Sequence, residues 1–393
     1  MNIMEFQNKN RTWAEVDLSR LAQNFRNIRD HVHALQPETK VLGVVKADAY
    51  GHGAVPAASV LQREGADFFA VATAQEAAEL REAGLTLPIL ILGYVDASDV
   101  PALIELDAAA ALCDRETAEA FSAAAQACGG TLRVHIALNT GMTRIGFEAD
   151  DSESNVREIL DAVSLPGLQA EGIFTHFAVA DTAGGEDYTA YQTGRFRAVC
   201  TALAAHGLEL TYRHCANSGA ILQYPETFSE LLPDGKPVFN MVRAGIILYG
   251  YYPDATTKKT VDLHPVMTVR AHVVQVRETP ADVTVSYGRT YRTEQPTKIA
   301  VVTMGYEDGY HRAGSGQAVM LVQDKVVPVI GRICMDMCML DVTGMDVKRG
   351  DLVTVFGDGP VNADTVADAA GTISYEVLCA ISKRIPRFYV GQE

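Results

Sequence analysis

The sequence predicts an α/β barrel of the (β/α)8 TIM type, followed by a C-terminal, mostly-β domain that also takes the N-terminal strand. The 393 residues exceed the roughly 250–300 residues at which a single core stops growing. Apolar runs alternate with helical stretches as far as Tyr252-Pro253, and after this point strands follow one another with short turns. We therefore expect an N-terminal strand within 1–18, a barrel at 19–252 and a β-rich domain at 253–393.

The number and spacing of apolar runs predict the barrel. Eight runs typical of buried strands lie at 41–45, 68–72, 89–93, 109–113, 132–139, 170–176, 212–216 and 241–249. Amphipathic helical patterns separate most of them, at 74–83, 115–127, 156–163 and 188–206. This alternation indicates a parallel sheet, and eight strands close a barrel. Residues 13–18 form a ninth strand, expected to pair with the other domain, and Ser19 is the expected N-cap of the next helix.

The C-terminal third is predicted to contain mainly strands. Predicted strands lie at 266–277, 284–287, 298–304, 317–322, 326–330, 335–342 and 352–356. Two predicted helices, 363–370 and 375–382, follow them. Gly357-Asp358-Gly359-Pro360 is a turn signal between the last strand and the first of these helices.

Composition excludes several classes of protein. No apolar run approaches the ~18 residues that indicate a membrane span. The polar N-terminus lacks the apolar core of a signal peptide. A net charge of −16 argues against nucleic acid or an anionic membrane as a partner. The seven cysteines are scattered without a CxxC pair, so we expect reduced thiols, no metal and a cytoplasmic location.

The stretch VLGVVKADAYGHG at 41–53 carries the first candidate for chemistry. Its apolar half is typical of a strand buried on both faces, and Lys46 follows directly. In α/β barrels, a residue at the carboxyl end of a strand faces the active site. Desolvation there lowers the pKa of a lysine and makes it nucleophilic. The alternative is a non-catalytic role, in which Lys46 extends from the strand end and places its charged amine in solvent.

The same stretch closely resembles the pyridoxal-phosphate segment of the alanine racemase family. Further blocks resemble the family in order: NTGMTRIGF (139–147), THFAVAD (175–181), HCANSGA (214–220), MVRAGIILYG (241–250), VSYGRTY (285–291), GRICMDMCMLDV (331–342) and SYEVLCAISKRIPRFY (374–389). The resemblance covers nearly the whole chain, including the order of the two domains. Seven blocks in sequence are highly specific.

The resemblance implies an isomerase that interconverts L-alanine and D-alanine through a pyridoxal-phosphate aldimine, supplying D-alanine for bacterial peptidoglycan. Racemisation removes a proton from one face of Cα and returns one to the other, which requires two bases. Lys46 and Tyr287 match the family's two bases. Because an unperturbed tyrosine has a pKa near 10, a cationic neighbourhood would have to lower the pKa of Tyr287.

The resemblance also implies the cofactor's ligands. Arg243 would face the pyridine nitrogen and leave it unprotonated, because a guanidinium only donates. His176 would bridge Tyr287 and Arg243. The expected phosphate ligands are Ser218, the amides of Gly245 and Ile246, Tyr50 and Tyr375.

The substrate carboxylate would meet the amide of Met335 and the side chain of Arg144, with Asp336 close by. Tyr306 resembles a residue that narrows the entrance. In the family, residues of the β-domain reach the cofactor of the neighbouring subunit. A head-to-tail homodimer with two composite sites is therefore implied.

One position departs from the family. Where it often has a carbamylated lysine, seven residues before Arg144, this chain has Ala137, and Asn139 replaces an acidic residue. A buried guanidinium without a counter-charge is costly. We therefore expect a chloride ion between Asn139 and Arg144. The alternatives are an ordered water or a carboxylate from elsewhere in the fold.

Three other functions are weighed against this interpretation. A fold-related pyridoxal-phosphate decarboxylase would need an acidic residue on the pyridine nitrogen and a glycine-rich phosphate loop, and the sequence offers Arg243 and no such loop. A non-catalytic carrier of the cofactor would consist of the barrel alone. A racemase for serine or a larger amino acid stays open, because side chains from both subunits set the pocket size.

Overall fold

The computed structural model describes residue 9, residues 11–233 and residues 235–391. The chain divides into two compact units. One contains residues 22–49 and 54–263, and the other contains the segment up to Leu21, residues 50–53 and the chain from His264 onward. The division at residues 18 and 252 expected from the sequence stays a prediction.

The first unit is a parallel barrel. Its eight strands, in spatial order, are Met241–Ala244, Lys40–Val44, Phe68–Val71, Ile89–Ile91, Ala108–Leu112, Leu132–Asn139, Leu168–Phe174 and Tyr212–His214. Backbone hydrogen bonds from Asn240 N to Arg213 O and from Arg243 N to Ala216 O, both 3.0 Å, join the last strand to the first. The predicted eight-stranded barrel is confirmed.

One helix precedes these strands in the chain and the others connect them. They span Leu18–Leu35, Ala54–Arg63, Ala74–Glu82, Val100–Glu105, Arg115–Cys128, Glu153–Val163, Glu186–Ala205, Ser218–Gln223 and Glu226–Ser229. The first helix corrects one expectation, because it begins before Ser19. The carboxylate of Asp17 accepts hydrogen bonds from the N–H groups of Ser19 (3.0 Å) and Arg20 (3.2 Å), so Asp17 is the capping residue.

The last barrel strand is shorter than predicted. The apolar run 241–249 predicts a strand throughout, but the strand ends at Ala244. Gly245, with φ −111° and ψ −109°, leaves the extended region, and Ile246–Tyr249 form a 3-10 turn. A fully buried apolar run does not distinguish a strand from such a turn.

The second unit is a mostly antiparallel sheet. Its strands, in spatial order, are Thr297–Val302, Cys338–Asp341, Lys325–Ile330, Val319–Val322, Leu352–Phe356, Met267–Thr279, Thr12–Asp17 and Arg387–Val390. The long strand Met267–Thr279 also pairs with Thr297–Val302, which closes the sheet on itself. The helices Ala363–Ala370 and Ser374–Ala380 follow the last strand of the closed part.

The N-terminal strand belongs to this second unit, as predicted. Thr12–Asp17 pairs antiparallel with Met267–Thr279 and parallel with Arg387–Val390. The predicted strand 284–287 stops at Val285, because Ser286 has φ +64° and the next three residues form a turn. No helix within the described part of the chain is long and apolar enough to cross a membrane.

Candidate active site

Lys46 lies where the sequence places it, just beyond the carboxyl end of Lys40–Val44. The backbone that follows is unusual. Ala47, Asp48, Ala49 and Tyr50 have φ between +52° and +54°, a left-handed turn of four consecutive non-glycine residues. Each such residue costs about 1–2 kcal/mol relative to the right-handed form. Surrounding contacts must therefore hold this strained turn in place.

Glu76 supplies two of these contacts. Its Oε1 accepts the N–H of Ala47 at 2.6 Å, and its Oε2 accepts the N–H of Ala72 at 2.7 Å. The carboxylate thus ties the lysine turn to the end of the neighbouring strand. Sequence reasoning missed this residue, although Thr73-x-x-Glu76 is the pattern of a capping box and marks the start of a helix.

Replacing Glu76 with Gln should lower the free energy of unfolding by about 1–2 kcal/mol. The amide oxygen can still accept one backbone N–H, but the amide N–H₂ group is a donor and cannot accept the second. Urea unfolding would measure the loss. The matched control is Glu79→Gln, on the exposed face of the same helix. Equal stabilities of the two variants would contradict the role given to Glu76.

Arg243 is the buried cation of the barrel, with 3% of its surface exposed. Its guanidinium donates to His214 Nδ1 (3.0 Å) and His176 Nδ1 (3.3 Å), and to three backbone carbonyls. Burial lowers the pKa of Arg243 to about 10, so it stays charged at neutral pH. Within the described residues, no carboxylate lies within 4 Å of this guanidinium.

His176 accepts a hydrogen bond from Arg243 and lines the same cavity as Arg144. Burial is the main cause that lowers its pKa well below the usual value, and the charges of Arg243, Arg144 and Lys46 lower it further. The imidazole is therefore neutral at pH 7. Because Nδ1 accepts from Arg243, the hydrogen of His176 is on Nε2, which is available as a donor.

The expected phosphate ligands of the barrel lie together. Gly245 N–H donates to Ser218 Oγ at 3.0 Å, and Ile246 follows Gly245 in the chain. Asn217 caps the short helix that begins at Ser218, accepting from Ala220 N–H at 3.1 Å. A hydroxyl and backbone amides thus meet at the carboxyl ends of the last two strands. The Gly245 amide would have to share its hydrogen between Ser218 and a phosphate.

The position without the family's lysine is more complex than expected. A cavity of about 20 Å³ is lined by residues that include Ala137, Asn139 and Arg144. However, Asn139 Nδ2 already donates to Glu148 Oε1 at 2.8 Å. Arg144 is exposed on the single chain, so the cost of a buried guanidinium is not seen there, and the chloride site stays a prediction. Glu148 is a carboxylate of the kind named as an alternative to chloride.

Four predicted residues lie in the second unit and face outward. Tyr287 is 68% exposed, Met335 49% and Tyr306 39%, and Asp336 is half exposed. Tyr287 is in a turn at the edge of a cavity of about 570 Å³, which Ser286 also lines. Large apolar side chains that stay exposed on a single chain are typical of a protein–protein contact.

Backbone hydrogen bonds connect Tyr306 to the loop containing Met335. Tyr306 N–H donates to Cys334 O and Glu307 N–H to Met335 O, both at 3.0 Å. Gly305 is required by this packing, since a Cβ there would lie 2.3 Å from Met335 O. Tyr306 and Met335 are therefore placed as one rigid group.

Asp308 holds this group, and sequence reasoning missed it. The carboxylate is fully buried and accepts both terminal nitrogens of Arg11 (2.7 and 2.9 Å), Arg384 Nε (2.8 Å) and Gly305 N–H (2.9 Å). Arg384 also donates to Asp336 Oδ1 at 2.9 Å. Bidentate, charge-assisted bonds of this kind are both strong and directional.

Tyr50 and Tyr375 lie together in the second unit, with ring centroids 6.0 Å apart. Burial raises the pKa of Tyr50 well above its usual value, so its hydroxyl stays protonated. Both hydroxyls are suited to donate to an anion such as a phosphate oxygen.

These features define a two-domain enzyme class, in which a parallel barrel carries a strand-end lysine and a buried guanidinium, and an antiparallel domain follows in the chain. Comparison with known proteins identifies the family. The models "Alanine racemase, N-terminal domain" and "Alanine racemase, C-terminal domain" match residues 16–253 and 266–389. The chain belongs to the alanine racemase family, whose members are pyridoxal-phosphate-dependent isomerases.

Individual relatives agree over nearly the full length. The alanine racemase of Clostridium perfringens is 44% identical over 382 residues, which cover 96% of this chain and 95% of the relative. That of Desulfovibrio desulfuricans is 43% identical and covers 96% of this chain and 98% of its own. The crystal structure of alanine racemase from D-cycloserine-producing Streptomyces lavendulae superposes with a TM-score of 0.89 at 34% identity, covering 98% and 99% of the two chains.

Proposed function

We propose that this protein is an alanine racemase that interconverts L-alanine and D-alanine with pyridoxal phosphate held covalently by Lys46. The observation that carries the proposal is the arrangement at the strand ends of the barrel, where Lys46 follows the strand Lys40–Val44 and the buried Arg243 donates to His176. Arg144 lines the same cavity as His176. A racemisation assay over a panel of L-amino acids tests it. We expect turnover of alanine to exceed that of serine and larger substrates.

The residues present fit this cofactor. The strand-end amine suits the aldehyde of the cofactor, and the buried guanidinium suits its pyridine nitrogen. The hydroxyl with adjacent backbone amides suits its phosphate. When bound, the cofactor supplies the electron sink for the charge left on Cα. Ser218 with the amides of Gly245 and Ile246 would hold the phosphate, and the proposal adds the hydroxyls of Tyr50 and Tyr375.

Arg243 would donate to the ring nitrogen. Its other hydrogens are already committed to neutral acceptors, which fixes the plane of the guanidinium. Since Arg243 cannot give up its proton at neutral pH, it would leave the ring nitrogen unprotonated. This separates the proposal from the decarboxylase alternative, which requires a carboxylate at this position.

Lys46 and Tyr287 would move the proton on opposite faces of Cα, with Tyr287 supplied by the partner subunit of a head-to-tail homodimer. The exposure of Tyr287, Tyr306 and Met335 supports this proposal, since large apolar side chains left exposed on one chain favour a covered surface. The Nε2–H of His176 would donate to the Tyr287 oxygen and so stabilise its deprotonated form.

The substrate carboxylate would be held by the Met335 amide and the Arg144 guanidinium, with Asp336 close by and Tyr306 narrowing the entrance. The network around Asp308 supports this, because it fixes the Tyr306 and Met335 backbone. A role in supplying D-alanine for peptidoglycan and a cytoplasmic location complete the proposal.

Chloride between Asn139 and Arg144 is the further part of this proposal. Asn139 has a second amide hydrogen beside the one given to Glu148, and Ala137 leaves room next to it. We expect racemase activity to rise with chloride added to halide-free buffer, and an anomalous peak at this point after bromide soaking. Asn139→Asp should abolish the dependence, because a carboxylate repels the anion.

One result would contradict the chloride site. Chloride-independent kinetics, with water or only the Glu148 carboxylate beside Asn139, would show that this chain orients Arg144 without an anion.

A further inference from the structure

A line of hydrogen-bonded side chains runs through the barrel and ends at Arg243. Glu171 Oε1 lies 3.2 Å from His135 Nε2, and His135 Nδ1 lies 3.0 Å from His214 Nε2. His214 Nδ1 in turn lies 3.0 Å from Arg243 NH1. Both histidines are fully buried, and 13% of the Glu171 side chain is exposed. Neighbouring strands supply Glu171 and the two histidines, so the line follows the sheet.

The position of every hydrogen in this line follows from its ends. Arg243 can only donate, so His214 Nδ1 must accept. A neutral His214 then carries its hydrogen on Nε2 and donates to His135 Nδ1. His135 must therefore carry its own hydrogen on Nε2, and Glu171 is the group that accepts it.

The charge states of Glu171 and the two histidines agree with these hydrogen positions. Burial lowers the pKa of His214 well below its usual value, and it also lowers the pKa of His135 by more than Glu171 raises it. Burial acts to raise the pKa of Glu171, but its partners His135 and Arg133 outweigh this effect, and the net shift is downward. Two neutral imidazoles thus lie between a carboxylate and a guanidinium.

Packing fixes the rings in these orientations. His135 stacks on Tyr212 with the rings 10° from parallel, and His214 stacks on Phe174 at 11°. Gly172 makes room for the first ring, because a Cβ there would lie 2.4 Å from His135 Nδ1. Neither ring can turn over without displacing a neighbour.

We propose that Glu171 is a positioning residue of the active site, acting through His135 and His214 to fix the direction of the hydrogen bonds that orient Arg243. The inference rests on the proposed role of Arg243 toward the cofactor ring. Glu171 is the one carboxylate in this hydrogen-bonded line, and no carboxylate among the described residues contacts Arg243 directly. It therefore polarises the acceptor atom that Arg243 uses.

Removing the carboxylate leaves either an N–H without an acceptor at His135 or a clash between two donors further along the line. In Glu171→Leu, the buried N–H of His135 has no acceptor. Moving that hydrogen to Nδ1 would set it against the N–H of His214, and moving the His214 hydrogen as well would set it against Arg243. Glu171→Gln is milder, because its Oε1 can still accept from His135 while the charge is lost.

Nitrogen NMR of the cofactor-loaded protein, labelled with ¹⁵N at histidine and assigned by single substitutions, tests the proposal. A protonated ring nitrogen resonates far from an unprotonated one. In the wild-type chain we expect both His135 and His214 to be neutral with the hydrogen on Nε2. In Glu171→Gln the same tautomers should persist with shifted resonances at both rings, and in Glu171→Leu the pattern should break.

Kinetics supply the second readout. We expect kcat to fall by about tenfold in Glu171→Leu, as for a buried donor left without an acceptor, with little change in KM because the line does not reach the substrate carboxylate. The matched control is Asp107→Asn. Asp107 pairs with Arg133, the other partner of Glu171, but has no hydrogen bond to either histidine. This variant should leave the resonances and kcat unchanged.

A hydrogen on Nδ1 or a cationic ring at either histidine of the wild-type chain would overturn the proposal. So would unmoved His214 resonances in Glu171→Gln, a near-isosteric variant that decides the matter even if the leucine variant does not fold. The NMR measurement needs no substrate. A wild-type chain that fails to racemise alanine would therefore refute the proposed function while leaving the hydrogen-bond order established or refuted on its own.

Discussion

Tyr287→Phe should reduce racemisation of alanine by about 10²–10⁴-fold, the range associated with a positioned proton-transfer group. The ring stays and only the hydroxyl is lost. Because Tyr287 is 68% exposed on its own chain, the fold should not change. The bound cofactor should keep its visible absorbance, since Lys46 is untouched. Initial rates in both directions, together with the absorbance spectrum, would measure the effect.

Tyr291→Phe is the control for this variant, because Tyr291 follows the same turn and pairs with Val285. Deuterium wash-in distinguishes the two faces. In Tyr287→Phe, exchange from one enantiomer should be lost while exchange from the other persists through Lys46. Equal residual rates from both enantiomers would contradict the assignment of one base to each face.

Two inactive chains should restore activity when mixed. Lys46→Ala lacks one proposed base and Tyr287→Ala lacks the other. In the proposed composite dimer, a mixed pair of chains would have one site with both bases and one with neither. Random exchange of equal amounts of two C2 dimers should recover about a quarter of the wild-type specific activity. Activity before and after exchange would measure this, with differently tagged chains to prove that mixed dimers form.

The control for mixing is a chain that carries both substitutions. Combined with Lys46→Ala, it cannot form an intact site and should show no recovery. If the two single variants also show none, despite mixed dimers being present, both bases come from one chain and the composite site is wrong.

Much of the fold could be predicted because the sequence patterns that indicate strands and helices are local. The eight barrel strands and the helix Ala363–Ala370 follow from apolar periodicity within short windows. The errors fall where local pattern is ambiguous. The apolar run from Met241 includes a turn after Gly245, and either Asp17 or Ser19 could cap the first helix.

The site was predictable only in part. Motifs near Lys46 and Arg243 identified residues that would touch a cofactor, through resemblance to a family. Glu76, Asp308 and Glu171 were missed, because each has a key partner that is distant in sequence, whatever local bonds it also makes. Arg11 and Asp308, for example, are 297 positions apart. Only the folded chain shows such partners.

The left-handed turn after Lys46 has a consequence for the order of folding. Four consecutive L-residues do not adopt this backbone on local preference, so the turn cannot act as a nucleus. It depends on Glu76, in a helix that comes 29 positions after Ala47. The strand Phe68–Val71 and the start of that helix must dock before the turn closes. The lysine therefore reaches its working position only after this strand and this helix have docked.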